Sequence, residues 1–544
     1  MKFCAAKFCA ANKITIGLVV LFSIFPLTDT DIWWHLACAR EWVTTWTPVR
    51  TPVVNVHEFF QMVVGAVYGL GGAPLLVAFK AILWGIVFFL FAGWPLRTCF
   101  EGVTMGKVAE PAEVTTKQSL FKIGIGVFLV FIFLYHFEIR PVLFTLIFLG
   151  IYWNVLPWLF RLRHCEERKQ ACHERSVVDA IHNKVPEPAE GASVRKKILA
   201  AVAILVIQWF WCKCQGLYIL GPLFALLLLM IDLFELRERK EKVCSKIVAA
   251  QVAFVLLLLA MPFLHREGLS LFLYPFGLLD RLLGLTPSAA IFASEIAENR
   301  SPITLLMAGE NVLQCALMIL LCVVGIFYGA YSTYASLRGP IRSDAIHKPM
   351  VLMATALLAL TAERNFVLFL PVFLSVLFLN FELRNQKSEI RNIPSSKLYQ
   401  LLSLVFIFFI FGLWARSLSA YDSSMVAYQR VPVDAAAWMA KHPHAGRLFN
   451  DDRAGGYLAF VNPADSVYID GRFILKTADF FGRYLEYANN PAQFVHDADS
   501  LNIDRAIFPI RYYARWDNLL QALDRDSRWH LVYRDEYFVV FDKN

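Results

Sequence analysis

Long apolar runs recur along most of this 544-residue sequence. A helix needs about 20 mostly apolar residues to cross the roughly 30 Å hydrocarbon core of a bilayer. Only 18% of the residues are charged, whereas soluble proteins usually carry about 25%. The sequence therefore predicts a polytopic α-helical membrane protein with about eleven spans. The predicted spans are residues 14–27, 74–96, 120–137, 141–160, 198–211, 217–234, 247–264, 312–334, 350–361, 366–383 and 401–413.

Lysine and arginine are distributed unevenly among the segments between these spans. Several basic residues occur in each of the segments 1–13, 97–117, 161–197, 237–246, 338–348 and 384–397. Cytosolic loops of membrane proteins carry such an excess. The alternation predicts a cytosolic N-terminus, a cytosolic loop at 161–197 and outer loops at 29–72 and 265–310. Because the basic residues are dispersed, the net charge of +8 does not indicate a nucleic-acid partner.

Residues 417–544 have a different pattern, in which polar and apolar residues alternate over short stretches as in a soluble α/β domain. The sequence therefore divides into a multi-span membrane domain, residues 1–416, and an extracytoplasmic α/β domain, residues 417–544. Helices are predicted at 433–441, 477–487, 491–500 and 514–523, and strands at 447–450, 466–470, 505–509, 530–534 and 537–541. The candidate functional residues of this domain lie in two loops that follow strands: Asp451, Asp452, Gly455 and Gly456, then Asp470 and Arg472.

An acidic and aromatic stretch, Asp29-Thr30-Asp31-Ile32-Trp33-Trp34-His35, directly follows the first apolar run. Tryptophan favours the membrane–water boundary, but a carboxylate near hydrocarbon is costly unless a charged group engages it. In a helix, Asp31 and His35 would share one face. A solvated loop with an aromatic anchor is the simpler alternative.

Other charged residues fall at span ends on the same predicted side of the membrane. Such residues usually pair with one another or face a cavity. Pairing of Glu138 with Arg140 and of Glu363 with Arg364 is one explanation. The other is a cationic pocket beside an acidic one. In that pocket, basic side chains would bind a lipid-linked phosphate, and the candidates are Lys80, Arg140, Lys213 and Arg364.

The acidic half of this pocket suits glycosyl transfer from a polyprenyl-phosphate-linked sugar, since the bond to be broken lies at the lipid headgroup. A carboxylate would deprotonate the attacking hydroxyl. Carboxylates also bind divalent cations such as Mg²⁺ or Mn²⁺, and Asp29 and Asp31 are the tentative ligands. The candidate catalytic residues are Asp31, Asp29, His35, His57 and Glu58.

Several motifs resemble those of bacterial multi-pass proteins related to the GT-C glycosyltransferases. They are Asp29-x-Asp31-x-Trp33-Trp34-His35-Leu36, the segment 54–61 (VNVHEFFQ), Arg140-Pro141, Ala362-Glu363-Arg364-Asn365, Gly455-Gly456-Tyr457-Leu458 and Asp470-Gly471-Arg472. The resemblance implies lipid-phosphate sugar donors, a catalytic acid in the first outer loop (Asp29 or Asp31) and an outer soluble C-terminal domain. The chain departs from the group at residues 46–55, which form a shorter loop. It also has Lys213 and Gln215 where the group has Asn and His.

Two other classes of function remain open from the sequence. A transporter or flippase of a lipid-linked saccharide would carry inverted repeats and polar residues near the membrane midplane, and the sequence shows neither. A non-catalytic scaffold for envelope assembly would use residues 417–544 as its binding module.

Overall fold

The computed structural model describes residues 10–42, 45–51, 53–91, 128–160, 190–238, 245–338, 343–385, 397–511 and 514–544. Most of the described chain is helical, and one four-stranded sheet lies near the C-terminus. The predicted cytosolic loop 161–197 falls outside the described residues as far as residue 189, and so does the first part of the predicted span 120–137.

The helical part precedes the sheet in the chain. Its helices, in chain order, are α1 (Ala10–Phe22), α2 (Asp31–Arg40), α3 (Glu58–Phe91), α4 (Val142–Phe160), α5 (Glu190–Trp211), α6 (Leu220–Glu238), α7 (Ser245–Ala260), α8 (Leu269–Leu283), α9 (Pro287–Glu295), α10 (Pro302–Met307), α11 (Val312–Arg338), α12 (Ser343–Thr361), α13 (Phe366–Asn385) and α14 (Lys397–Leu418).

Five helical segments of the described chain are long and apolar enough to cross a membrane: Glu58–Phe91, Val142–Phe160, Gly216–Glu238, Ser245–Leu264 and Val312–Leu337. The pair α8 and α9, bent by 66°, would raise the number to six if it formed one span. Ile346–Thr361 and Leu404–Leu418 are apolar but shorter. The protein is thus a mostly helical membrane protein, and the number of eleven spans stays a prediction.

The predicted first outer loop, residues 29–72, is largely helical, which corrects that prediction. Helix α2 occupies its first part, and α3 begins at Glu58. A kink divides α3 at Gly71 and Gly72, and Gly72 has a φ of 62°, which glycine adopts without steric cost. The predicted start of the second span at residue 74 therefore coincides with this kink rather than with the beginning of the helix.

The predicted outer loop 265–310 is also mostly helical. It contains α8, α9 and α10. Gly284, which has a φ of 61°, ends α8 in the left-handed conformation, a common helix stop that glycine tolerates. The chain then turns into α9, where Pro287 occupies the first helical position, as proline often does.

The C-terminal sheet has the strand order β1-β2-β4-β3. Strands β1 and β2 are parallel, and β4 is antiparallel to both β2 and β3. Helices surround the sheet, so this part is α/β as predicted. In chain order its elements are α15 (Val433–Lys441), β1 (Arg447–Asn450), α16 (Asp452–Val461), α17 (Ala478–Asn489), α18 (Pro491–Ser500), β2 (Ile503–Pro509), α19 (Asp517–Arg525), β3 (Trp529–Arg534) and β4 (Phe538–Lys543).

Two predictions for this part were wrong. Residues 466–470 are not a strand, because their backbone bonds instead to the Asn450 side chain and to Trp46. Residues 452–461 form helix α16 rather than a loop, so Asp452, Gly455 and Gly456 are helical.

Helix α16 packs directly on α2 and joins the two parts of the chain. A methyl group at Gly456 would lie 3.1 Å from the Trp34 backbone nitrogen, so a larger residue there would require α2 and α16 to move slightly apart. Ile32 and Trp33 of α2 share a buried apolar cluster with Leu458 and Phe460 of α16. The C-terminal part is therefore held against the start of α2, where the acidic stretch lies.

Candidate functional site

Asp31 is the first residue of α2, and its carboxyl group lies against the C-terminal part. Its backbone N–H donates to Oδ1 of Asp29 at 3.2 Å, which fills a donor that the first turn of a helix leaves unpaired. A methyl group at Gly471 would lie 1.9 Å from Asp31 Oδ1. The Asp31 carboxyl therefore faces the backbone of the Asp470-Gly471-Arg472 segment.

Asp29 is bound by Arg140 from the turn before α4. Nε and Nη2 of Arg140 donate to the two oxygens of Asp29 at 3.0 and 3.1 Å. The remaining terminal nitrogen, Nη1, donates to Glu298 at 2.7 Å. Burial would raise the pKa of Glu298, but the charge and hydrogen bond of Arg140 outweigh it and lower this pKa to about 2. One guanidinium thus joins the acidic stretch to the segment after α9.

The two internal pairs considered from the sequence are not formed. Arg140 pairs with Asp29 and Glu298, whereas Glu138 accepts a hydrogen bond from the Thr28 hydroxyl. Glu363 accepts a hydrogen bond from Tyr135 at 3.2 Å. The charged residues at the span ends therefore connect different segments instead of pairing with their sequence neighbours.

Asp31 is in a different electrostatic state from a solvent-exposed aspartate. Burial, together with the nearby charge of Asp29, raises the pKa of Asp31 to about 8, and the charge of Arg140 opposes the rise. The described ion pairs engage Asp29 but not Asp31. The carboxyl group of Asp31 can therefore exchange a proton near neutral pH.

His35 and His57 lie next to each other, and His35 follows Asp31 by about one turn of α2. Their ring centroids are 5.2 Å apart, and His35 also packs on Trp34 at 3.5 Å. Burial lowers the pKa of His35 well below its usual value, and the charges of His57, Arg472 and Arg140 lower it further. His57, whose Nδ1 lies 3.1 Å from the Cys214 carbonyl oxygen, has its pKa lowered to about 4, chiefly by burial. Both rings are neutral at pH 7.

Two of the predicted phosphate-binding lysines are already engaged. Lys80 is buried, donates to the Phe25 carbonyl at 3.0 Å and lies over the Phe25 ring. Lys213 pairs with Glu58 at 2.8 Å and with Glu267 at 2.6 Å. Glu58 is thereby placed beside Lys213 rather than beside Asp31.

Of the four predicted phosphate-binding residues, Arg364 is the one whose side chain is least engaged by other groups. It is exposed, and one terminal nitrogen donates to Asn299 at 2.6 Å. Its charge lowers the pKa of His57 and opposes the rise to about 12 that burial imposes on the pKa of Tyr274. The charge of Arg364 therefore acts both on His57 and on Tyr274 of α8.

The six predicted residues of the C-terminal part fall into three groups. Asp451 caps α16 and accepts a hydrogen bond from Trp516 at 2.7 Å, and Asp452 accepts one from Tyr484 at 2.6 Å. These two aspartates support the C-terminal fold. Gly455 and Gly456 permit close packing, as does Gly471 at the site. Arg472 pairs with Asp470 at 2.5 Å, and its guanidinium carbon lies 5.5 Å from the Trp34 ring centroid.

Sequence reasoning missed Glu298 and Gly471. Glu298 lies in a predicted loop with several acids, and its partner Arg140 is 158 residues away. Gly471 belongs to the Asp470-Gly471-Arg472 motif but was not among the candidate site residues. The motif Asp470-Gly471-Arg472 was a signal for the position, but not for its contact with Asp31.

Asp29 and Asp31 do not fit a metal site in this arrangement. Both oxygens of Asp29 accept hydrogen bonds from Arg140. Among the residues that the structure describes, no group of three or more His, Cys, Asp or Glu side chains is placed to hold a metal ion. The positive charge that a metal would bring to Asp29 is already supplied by Arg140.

No protein-family model and no curated protein matches the sequence. Among solved structures, the chain is similar to the apo form of the Archaeoglobus fulgidus oligosaccharyltransferase. The TM-score is 0.50 and the identity 12%, with 93% of this chain and 70% of that chain covered.

Two further structures of the same archaeal enzyme also match at 12% identity. One is tethered to an acceptor peptide containing the NVT sequon (TM-score 0.49, covering 98% of this chain and 74% of that chain). The other is a complex with Zn and sulfate (TM-score 0.48, covering 92% and 67%). The first of the three similarities shows that the fold of this chain is similar to that of the archaeal oligosaccharyltransferase. This similarity agrees with the predicted helical membrane fold, whereas a relation to the GT-C glycosyltransferases stays a prediction.

Proposed function

We propose that this protein is a membrane glycosyltransferase that moves a sugar from a polyprenyl-phosphate-linked donor to an extracytoplasmic acceptor. The observation that carries the proposal is the difference in ion pairing between two aspartates at the start of α2. Asp29 is clamped by Arg140, whereas Asp31 is left without an ion pair among the described residues and faces Gly471. This arrangement occurs within a fold similar to that of an oligosaccharyltransferase.

Asp31 is the proposed general base. The acceptor hydroxyl attacks the anomeric carbon of the sugar, and its proton passes to Asp31. The bond from this carbon to the phosphate oxygen breaks, and the lipid phosphate leaves with the electron pair. A base is most effective when its pKa lies near the working pH, and the raised pKa of Asp31 meets that condition. The acceptor would reach Asp31 past the backbone of Gly471.

Arg364 is the proposed contact for the departing phosphate, because it is exposed and its charge acts on His57. Cations already in place stabilise the negative charge that develops on a leaving group. Arg140, Lys80 and Lys213 would contribute mainly through their field, since their nitrogens are engaged by other groups. The neutral rings of His35 and His57 would shape the site around the sugar.

No step of this mechanism is assigned to Mg²⁺ or Mn²⁺, because Arg140 occupies the oxygens of Asp29. We expect that transfer continues after treatment of the purified protein with EDTA. Loss of transfer on chelation, restored by added Mg²⁺ or Mn²⁺, would show that the Arg140 clamp opens to admit a metal.

For topology we keep the sequence-based assignment as part of the proposal. The protein would reside in a bacterial cytoplasmic membrane with its N-terminus in the cytosol, a membrane domain of residues 1–416 and an outer domain of residues 417–544. The turns that carry Arg140, Lys213 and Arg364 meet the first loop and the segment 265–300 at one end of the helical part. The C-terminal part docks at the same end, as one outward-facing site requires.

The test compares glycoconjugates in cells that lack the gene and in cells complemented with variants. Asp31→Asn removes the base and keeps the side-chain shape. Asp479→Asn, at an exposed position in the first turn of α17, is the matched control. We expect mass spectrometry of envelope glycolipids and glycoproteins to show a product that wild type and Asp479→Asn restore but Asp31→Asn does not.

Restoration of the product by Asp31→Asn, at wild-type protein level, would refute the assignment of the base. Loss of the gene with no change in any glycoconjugate would instead favour the non-catalytic scaffold. Accumulation of the lipid-linked donor on the cytosolic side would favour a flippase. The three outcomes distinguish the proposed enzyme from its two rivals.

A further inference from the structure

Helix α8 has two faces of opposite character. Five large apolar residues follow one another at helical spacing along one face, and between 39% and 59% of each is exposed. We call this set the α8 stripe; it consists of Leu269, Leu273, Phe276, Leu279 and Leu283. A helix that exposes such an uninterrupted apolar stripe in a folded protein needs something apolar to cover it.

The opposite face of α8 is fastened to the protein. Leu271 is fully buried, and its carbonyl accepts a hydrogen bond from the Tyr218 hydroxyl at 2.6 Å. The Tyr274 ring packs so closely on Gly216 that a methyl group there would lie 2.7 Å from it. The helix therefore has a fixed rotation about its axis, and the stripe must face outward.

Arg281 connects the same inner face to the C-terminal part. Its two terminal nitrogens donate to the carbonyl oxygens of Phe473 and Lys476 at 2.9 and 3.0 Å. The following helix, α9, stacks Phe292 on Phe481 of α17 at 5.0 Å. Because α9 packs on the C-terminal part, we infer that the bent pair α8 and α9 does not form one membrane span.

The exposed stripe follows, in the chain, another helical segment with exposed apolar side chains. The preceding segment, Ser245–Leu264, is apolar enough to cross the membrane and is mostly unburied. At its end Phe263 and Leu264 are 51% and 67% exposed, and α8 begins five residues later. Arg266, between them, is also exposed, and basic residues at such a boundary favour lipid headgroups.

We propose that α8 lies in the bilayer–water interface with its stripe in the acyl-chain region of the membrane. The occupant of the stripe is the lipid of the membrane that α7 crosses. Interfacial helices bury an apolar face among the outer parts of the acyl chains. Through Arg281, α8 then holds the C-terminal part at a fixed height above the bilayer. This inference does not depend on the proposed glycosyl transfer.

Photocrosslinking of the full-length protein in lipid nanodiscs tests the proposal. Benzoylphenylalanine would replace Phe276 or, as a second position in the stripe, Leu273. Phe327, which is 72% exposed in the apolar segment Val312–Leu337, is the lipid-facing reference. Leu531, which is 43% exposed on β3, is the water-facing reference. After irradiation, peptide mass spectrometry identifies what each position has captured.

We expect lipid adducts at both stripe positions with a yield similar to that at Phe327, and none at Leu531. Stripe positions that behave like Leu531 would overturn the proposal. Crosslinks from the stripe to a second copy of the chain would also overturn it and would identify the stripe as a protein–protein interface. Because all four positions are exposed, the substitutions do not disturb the folded core.

Discussion

Replacing Arg140 with glutamine tests whether one guanidinium holds the site together. The Asp29 side chain is only 3% exposed, and it receives two hydrogen bonds from Arg140. Removing one partner of a buried pair costs about 3–5 kcal/mol, because the other charge is left buried without compensation. Since the Arg140 side chain is 31% exposed, we expect the lower value, about 3 kcal/mol. Equilibrium unfolding in mixed detergent micelles measures this loss.

A double-mutant cycle separates the ion pair from other effects of the substitution. Asp29→Asn removes the charge that Arg140→Gln strands, so the double variant should recover part of the lost stability. We expect a coupling energy of about 2 kcal/mol. Arg140→Lys, which keeps the charge but not the forked geometry, should fall between wild type and Arg140→Gln.

Arg300→Gln is the matched control for this cycle. Arg300 belongs to the segment that follows α9 and pairs with Glu310, whose side chain is 47% exposed. Exposed pairs contribute about 0–1 kcal/mol, so this variant should remain close to wild type. If the effects of Asp29→Asn and Arg140→Gln simply add, or if Arg300→Gln costs as much as Arg140→Gln, the buried clamp does not have the role described here.

Three further predictions follow from single contacts. Asp31→Asn should be more stable than wild type at pH 8 by on the order of 5 kcal/mol, because the pKa of the Asp31 carboxyl is raised from 3.8 to about 8 in the folded protein and each pKa unit corresponds to about 1.4 kcal/mol. The difference should grow as pH rises from the unfolded pKa towards 8. Unfolding of the two proteins from pH 4 to 9 measures it, and parallel curves would contradict it. Gly455→Ala should strongly lower the thermal unfolding temperature, since its methyl group would lie 1.9 Å from the Ile469 carbonyl oxygen. Gly412→Ala, whose methyl group would have no atom within 4 Å, should not lower it. Equal effects of the two substitutions would contradict the packing argument. Burial lowers the pKa of His444, but its hydrogen bonds to Asp465 and Asp504 outweigh burial and raise this pKa. His444 therefore stabilises the protein fully below pH 6.5 and loses this effect as pH rises through its folded pKa. His444→Asn should be less stable than wild type at pH 5.5 and equal to it at pH 9, and a constant difference would exclude protonation as the cause.

The C-terminal elements show which local signals the sequence carried. Helix 491–500 was predicted with its observed bounds, since proline at the first helical position is a strong signal. Helix α16 was missed because glycine is a poor helix former, and its Gly-Gly pair therefore suggested a loop. The glycines permit close contacts with the Ile469 carbonyl and the Trp34 backbone. Such contacts between distant segments cannot be inferred from local propensity.

The site was predictable in part from the positions of charged residues in the sequence. Placing charged residues at span ends on one predicted side assigned Asp29 and Arg140 to the same side of the membrane, although they are 111 residues apart, but it did not predict their ion pair. The same reasoning could not say which acidic residue of the segment 265–310 would reach Arg140, because that segment has no periodic pattern that indicates which side chains point towards Arg140. It also could not foresee that Lys213 would be neutralised by Glu58 and Glu267.

The first turn of α2 touches the C-terminal part at two places, through Gly456 and through Gly471. Asp31 and the opposing loop are therefore parts of one rigid unit, although they are separated by most of the polypeptide. Any motion that admits a substrate or releases a product must then come from elements outside this unit.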